Sequence, residues 1–263
     1  MSVEKEDLEI LRTAKKILEN PSMAAKITNA IGKPVEIGME LLPEKWNEVV
    51  GDATKKALLY SLEGALITMD KNIVQGSNDF WHKIIVASTG AGGGLFGLPA
   101  LAVELPVSTT IMLRSIADIA RSEGEDLKDQ EVKLNCLSVF ALGGRSTKDD
   151  AAESGYYAVR SALAKTISEA AKYIAEKGLT EEGAPALVRF ISSISSRFSI
   201  QVTEKGAAQA VAAVGAIGGA VINLIFIDHF QNMARGHFSV RRLERKYNPE
   251  IIQKEYENLD LRN

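Results

Sequence analysis

Histidine and carboxylate side chains are the clearest candidates for acid–base or metal chemistry in this chain of 263 residues, which has only three histidines. Asp228 and His229 follow an uncharged run and precede His237, while Glu104 is the one ionisable residue of another apolar stretch. Imidazole and carboxylate groups carry protons and ligate metals. These residues allow a metal-dependent hydrolase that uses Glu104, Asp228 and His229, or a metal site of Glu104, His229 and His237.

The spacing of these candidates argues against such a site. His229 and His237 are eight positions apart, which separates them by about 80° around an α-helix. The zinc motif H-E-x-x-H, which places two histidines on one helix face, does not occur in the sequence. Asp228 and His229 also suit helix-capping or buried polar positions. The sequence therefore predicts no cofactor and favours a non-enzymatic role.

A glycine motif and a lone cysteine offer two further kinds of chemistry. Gly92, Gly94 and Gly97 fit the dinucleotide motif G-x-G-x-x-G, but Pro99 falls where the following helix should begin, and no strands alternate around the motif. The only cysteine, Cys136, lies in an apolar stripe typical of a buried helix face, so it is a poor nucleophile. We therefore expect neither nucleotide binding nor nucleophilic catalysis.

Two groups of charged residues predict internal ion pairs. Arg114 and Asp118 are four residues apart in an apolar neighbourhood, where a buried salt bridge with Glu104 nearby would offset the cost of desolvation. Arg160 follows Glu153 and Tyr156 at helical spacing, and we expect it either to pair with Glu153 or to bind an anion.

The C-terminal part of the chain is locally basic although the whole chain has a net charge of -3. That overall charge gives no field for attracting nucleic acid, so no nucleic-acid partner is expected. A basic segment beside an uncharged run instead favours contact with anionic lipid at a membrane surface. The residues of this predicted membrane or anion contact are Arg235, Arg241, Arg242, Arg245 and Lys246.

Two stretches, residues 84–113 and residues 206–227, carry one ionisable side chain between them. Both are rich in glycine and alanine, which dilutes the apolar side chains below what a membrane-spanning helix needs and lets neighbouring helices approach closely. We predict two buried helical segments packed on each other. Pro99 and Pro106 are expected to break the first segment, with Glu104 at the break, where freed backbone amides would accept its carboxylate.

Apolar residues spaced three and four apart recur along the chain and predict an all-α fold, a single compact multi-helix bundle. We expect peripheral helices in residues 1–43, a helical core in residues 44–247, and a last helix and tail in residues 248–263. One long helix has N-cap candidates in Thr147, Asp149 and Asp150. Its predicted buried stripe is Ala152, Tyr156, Val159, Leu163, Ile167, Ala170 and Ile174.

Several segments together resemble the EcsC protein family over most of the chain. They are STGAGGGLFGLPALAVELPVSTTIMLRSIADIARSEGEDL at 88–127, FALGGRSTKDDAAESGYYAVRSAL at 140–163 and AVGAIGGAVINLIFIDHFQNMARGHFSVRRLERKY at 213–247, followed by Tyr256. The resemblance implies a predominantly helical protein, and an association with ABC transporters because the family is named after a member encoded beside transporter components. It implies no reaction.

The N-terminal sequence MSVEKEDLEILRTAKK has no secretory signal, and one cysteine suits a reducing compartment. We therefore expect a cytoplasmic protein, peripheral at the inner face of the membrane, acting as an accessory or interaction factor with lipid or a transporter component as its partner. A metal-dependent hydrolase and a soluble helical scaffold are the alternatives.

Overall fold

The structure is a computed structural model that describes residues 3–19, 23–32, 34–68, 98–144, 155–178, 184–212 and 216–261. Within these ranges the chain is helical and contains no strand, which confirms the predicted all-α bundle. The helices are α1 Lys5–Glu19, α2 Met23–Ile31, α3 Val35–Met39, α4 Trp46–Thr68, α5 Leu98–Ser122, α6 Gln130–Ser138, α7 Tyr156–Lys177, α8 Pro185–Ala212, α9 Ala216–Tyr247 and α10 Pro249–Asn258. A short 3₁₀ helix, Val139–Ala141, continues α6.

Local sequence signals set several of these helix ends. The Asp129 side chain accepts a hydrogen bond from the amide of Glu131 at the start of α6, and Asn248 caps α10 in the same way with Pro249 as the next residue. Gly178, with φ of +68°, ends α7 in a backbone conformation that glycine adopts without strain.

The long helix α7 buries the face that its sequence periodicity predicts: Tyr156, Val159, Leu163, Ile167, Ala170 and Ile174 are all buried. Ala152 and the cap candidates Thr147, Asp149 and Asp150 lie outside the described residues. The first turn of α7 is bonded by a residue from elsewhere in the chain: the carboxylate of Glu19 accepts a hydrogen bond from the amide of Tyr156 at 3.1 Å. This contact joins the end of α1 to the start of α7.

A cluster of phenylalanine rings lies at the centre of the bundle. Phe140 contacts Phe198 of α8 and Phe230 of α9, with ring centroids 4.8 and 5.1 Å apart. The same hydrophobic core takes in Leu11 from α1 and Ile252 from α10, both with no exposed surface. The terminal helices of the described chain therefore contribute to the central core.

Helices α5 and α9 run side by side in the same direction. Ser115 of α5 is hydrogen-bonded to Gln231 of α9. Just beyond α5, Glu123 is hydrogen-bonded to Ser239 and Glu125 to Arg241. Each pair is separated by 116 positions in the sequence, so the two segments keep one register over more than two turns.

The structure corrects one expectation about the uncharged stretches, the break at the prolines. Helix α5 runs from Leu98 to Ser122 without a break, and Pro106 lies inside it. Pro99 falls in the first turn, where a helix tolerates proline because the amide there has no partner. Of residues 206–227, the structure describes 206–212 at the end of α8 and 216–227 at the start of α9, and residues 213–215 lie outside the described ranges. The glycines at 92, 94 and 97 lie outside the described residues.

Candidate functional site

The three residues proposed for hydrolysis have different local partners. Glu104 accepts a hydrogen bond at 2.6 Å from Lys205, whose side chain is only 6% exposed, so the carboxylate neutralises a buried ammonium rather than capping a helix break. Asp228 is exposed and contacts Asn232 and Lys26. His229, the next residue, is buried. The described parts of the chain contain no group of three ligands that could hold a metal. The structure therefore forms neither of the two predicted metal sets, Glu104 with Asp228 and His229 or Glu104 with His229 and His237.

His237 belongs to a buried polar network between α7 and α9. The Tyr156 hydroxyl lies 3.0 Å from Nδ1 of His237 and accepts a hydrogen bond from Arg160 at 3.2 Å. Either group can donate in this contact, depending on which ring nitrogen carries the hydrogen. Nε2 has no hydrogen-bond partner within the described ranges.

Arg160 is bound by an acid that local spacing could not reveal. Its guanidinium donates two hydrogen bonds to Glu244, at 2.7 and 3.0 Å, and the Tyr157 hydroxyl donates a third at 3.0 Å. Glu153 lies outside the described residues. The bidentate geometry makes this a structural ion pair between α7 and α9 and leaves Arg160 engaged rather than open to an external anion.

The environment of this network moves its pKa values away from neutrality. Burial lowers the pKa of His237 well below 6.5, and the nearby charges of Arg160 and Arg241 lower it further. Burial raises the pKa of Tyr156 and of Tyr157. The network therefore holds a neutral imidazole and neutral phenols at physiological pH, which suits a fixed structural role.

Most of the predicted basic contact segment forms ion pairs inside the molecule. Arg241 and Arg245 both bind Glu125, whose side chain is 4% exposed, and Arg242 lies 3.0 Å from Glu123. Burial alone would raise the pKa of Glu125, but hydrogen bonds and charges of the two arginines lower it below 4.5.

Two further basic residues of that segment differ in their partners. Lys246 binds Asp7 at 2.7 Å and Glu4 at 3.1 Å, which ties α9 to α1. Arg235 instead donates to an amide oxygen, that of Asn232, at 2.8 Å. Arg235 is thus the member of the segment that shows no carboxylate partner within the described residues.

Arg114 and Asp118, predicted as a pair in the core, lie on an exposed face of α5. Both side chains are exposed, and Asp118 accepts a hydrogen bond at 2.8 Å from Arg121, three residues further along α5. The spacing of Asp118 and Arg121 along the helix is visible in the sequence. The apolar surroundings, however, led us to expect this face of α5 in the core, whereas it is exposed. This surface pair is expected to contribute little to stability.

A surface that the sequence did not single out lies on α3, the turn after it and the first turn of α4. Ile37, Met39 and Leu41 are 51%, 39% and 60% exposed, a high exposure for three large apolar side chains within five residues. Four exposed glutamates, each four residues after the one before, lie in the same part of the chain: Glu36, Glu40, Glu44 and Glu48. We call Ile37, Met39, Leu41 and these glutamates the acidic–apolar surface.

A cleft of about 300 Å³ opens between α1, α2 and α9. It is lined by Thr13, Lys16, Ile17, Lys26, His229, Asn232 and Met233. Asn232 also connects the cleft to Arg235 through the hydrogen bond described above. The cleft brings together one predicted site residue, His229, and two lysines from the N-terminal helices, which the sequence had not linked to it.

None of the described helices is both long enough and apolar enough to cross a bilayer. In comparison with known proteins, the model of the EcsC protein family matches residues 4–243 of the chain. No curated protein and no solved structure matches the chain significantly.

Proposed function

We propose, from the premise that this chain belongs to the EcsC protein family, that it is a non-enzymatic accessory protein at the cytoplasmic face of the membrane. Its partner would be an integral membrane protein such as a component of an ABC transporter. The acidic–apolar surface is the observation that carries this proposal. The described candidates for catalysis are occupied in structural contacts, whereas this surface presents apolar groups to solvent.

Exposed apolar side chains that lie close together mark contact sites, because leaving them in water is unfavourable unless a partner covers them. Ile37, Met39 and Leu41 fall within a single five-residue segment. Their backbone is held firmly: α3 packs on α8 with Gly38 against the carbonyl of Ala207, where a Cβ atom would collide. The three side chains are therefore presented on a fixed backbone.

The charges around these side chains indicate which partner fits. Between residues 34 and 48 the exposed ionisable residues are four glutamates and Lys45, a local charge of 1 - 4 = -3. Such a surface repels anionic lipid and attracts basic segments. Cytoplasmic loops of integral membrane proteins carry an excess of lysine and arginine. A basic loop with apolar side chains thus complements both features of the acidic–apolar surface.

The first prediction concerns binding to membranes that retain their proteins. Purified protein is incubated with inside-out vesicles from the cells that produce it, and the bound fraction is measured by flotation. We expect binding to native vesicles and its loss when exposed loops are removed by protease. The triple variant Ile37→Ser, Met39→Ser, Leu41→Ser should lose most of the binding, and Glu36→Lys, Glu40→Lys, Glu44→Lys should reduce it through charge repulsion.

The double variant Val188→Ser, Leu224→Ser is the matched control, because these two apolar residues are equally exposed, at 48% and 67%, but belong to α8 and α9. It should bind as the wild type does. Binding to protein-free anionic liposomes that is equal to binding to native vesicles would assign a lipid partner and contradict the proposal. No binding to either would leave a soluble scaffold as the better description.

A further inference from the structure

We infer that the cleft between α1, α2 and α9 is a binding site for a phosphate group. Three helices converge on it, and it combines cationic, hydrogen-bonding and apolar side chains in about 300 Å³. That volume lies at the lower end of the range for small-molecule sites. The inference concerns a surface separate from the acidic–apolar surface and does not depend on it.

The charges around the cleft are predominantly positive. Lys16 of α1 and Lys26 of α2 line it, and Arg235 lies next to it through its bond to Asn232. The compensating acid is Asp228, whose carboxylate lies 3.9 Å from the Lys26 ammonium, at the outer limit for an ion pair. Lys16 has no ion-pair partner within the described ranges. Among the described residues, these three cations and one carboxylate give a local charge of about +2, which matches a phosphate monoester dianion.

The deeper wall of the cleft is fixed in shape. His229 is 1% exposed, and Gly143, at φ of +74°, lies directly against it. A Cβ atom at Gly143 would come within 2.7 Å of the Met233 sulfur and 2.8 Å of the His229 ring. The close approach of glycine thus holds the imidazole and the thioether in position on this wall of the cleft.

The side chains define the kind of ligand. Lysine ammonium groups bind phosphate oxygens as point charges, and the Thr13 hydroxyl and Asn232 amide add polar contacts. Ile17 and Met233 offer apolar surface to the rest of the molecule. The expected ligand is an organic phosphate ester, supplied either by a soluble metabolite or by a phospholipid headgroup.

The test measures binding of glycerol 3-phosphate by calorimetry at a salt concentration near 0.15 M, with inorganic phosphate as a second probe. Vesicles of phosphatidylglycerol, compared with vesicles of phosphatidylcholine, distinguish a headgroup from a soluble ester. We expect saturable binding that the double variant Lys16→Glu, Lys26→Glu weakens at least about tenfold, because it reverses both charges of the cleft. Far-UV circular dichroism checks that the variant is folded.

Lys5→Glu, Lys254→Glu is the matched control, since it makes the same charge change at exposed lysines outside the cleft lining. It should bind glycerol 3-phosphate like the wild type. Binding to phosphatidylglycerol vesicles alone, with the same loss in the Lys16/Lys26 variant, would assign the phospholipid headgroup. The inference is overturned if neither the esters nor the vesicles bind, or if both double variants lose binding equally.

Discussion

His237 shows how a single residue links the fold to pH. It lies on α9 and is buried against α7. Its polar and charged neighbours are Tyr156, Arg160 and Arg241, and Arg160 is in turn bound to Glu244. Among the described residues, no carboxylate contacts the imidazole. Protonation would place a third positive charge beside two arginines in a buried site, which is strongly unfavourable.

The pH dependence of stability follows from this lowered pKa. Folded His237 stays neutral, while the unfolded chain binds a proton at this histidine as pH falls below 6.5. Protons therefore favour the unfolded state. The stabilisation is fully present above pH 6.5 and is lost as pH falls, by up to about 1.4 kcal/mol per pH unit.

The variant His237→Gln tests this contribution, because the glutamine amide can still form a hydrogen bond with Tyr156 but does not titrate. Urea unfolding at pH 7.5 and pH 5.5 should show a smaller loss of unfolding free energy for the variant than for the wild type. Acidic groups with lowered pKa values, such as Glu125, titrate below this window. An identical loss in both proteins would show that His237 does not remain neutral on folding.

At the scale of elements, the contact between α3 and α8 explains how a five-residue helix keeps a defined position. Gly38 and Val35 are buried, while the residues between and after them are exposed. The absence of a side chain at Gly38 lets α3 lie directly on the α8 backbone at Ala207. A short helix has little stability of its own, so this packing provides most of it.

Gly38→Ala should therefore destabilise the protein, by about 1–3 kcal/mol or more, because the added methyl group meets backbone atoms that cannot rotate away. Gly51→Ala is the control. Gly51 lies inside α4 with no neighbouring atom within 4 Å of an added Cβ, and alanine there should stabilise the helix by about 0.5–1 kcal/mol. Urea unfolding of both variants measures the difference. Similar changes in the two would mean that α3 is not closely packed on α8.

The sequence predicted the helices better than the contacts between their polar side chains. The buried face of α7 follows from its 3.6-residue spacing, because burial of one face imposes that period. The break predicted at Pro106 was wrong. Helix α5 packs against α4 and α9, and these tertiary contacts keep it continuous although Pro106 removes one backbone hydrogen bond.

Long-range ion pairs were beyond prediction for a different reason. Arg160 and Glu244 are 84 positions apart, and Glu104 and Lys205 are 101 apart. Spacing along one helix reveals only neighbours three or four residues away. The basic segment therefore looked available to an anionic membrane, although Glu123, Glu125, Asp7 and Glu4 reach it from other parts of the fold.

At the scale of the whole molecule, the first and last described helices are joined to each other. Lys15 of α1 donates to the carbonyl oxygens of Tyr256 and Leu259, and the Tyr256 hydroxyl donates to Glu19 at 2.9 Å. Tyr256 also packs against the Tyr156 and Tyr157 rings of α7. Helices α1, α7 and α10 thus form one packed group around the end of α9.

This arrangement predicts that the bundle unfolds as one unit. Ile252→Ala removes a fully buried side chain from α10 and should cost about 2–5 kcal/mol. In a Trp81→Phe background, Trp46 of α4 is the only tryptophan, and it packs against Gly206 of α8 rather than α10. Its fluorescence and far-UV circular dichroism should report the same lowered urea midpoint, because loss of a contact in α10 weakens the entire cooperative structure.

Ile251→Ala, at a partly exposed neighbouring position, should change the midpoint much less. An unchanged Trp46 midpoint in the Ile252→Ala protein would mean that α10 unfolds independently of the core.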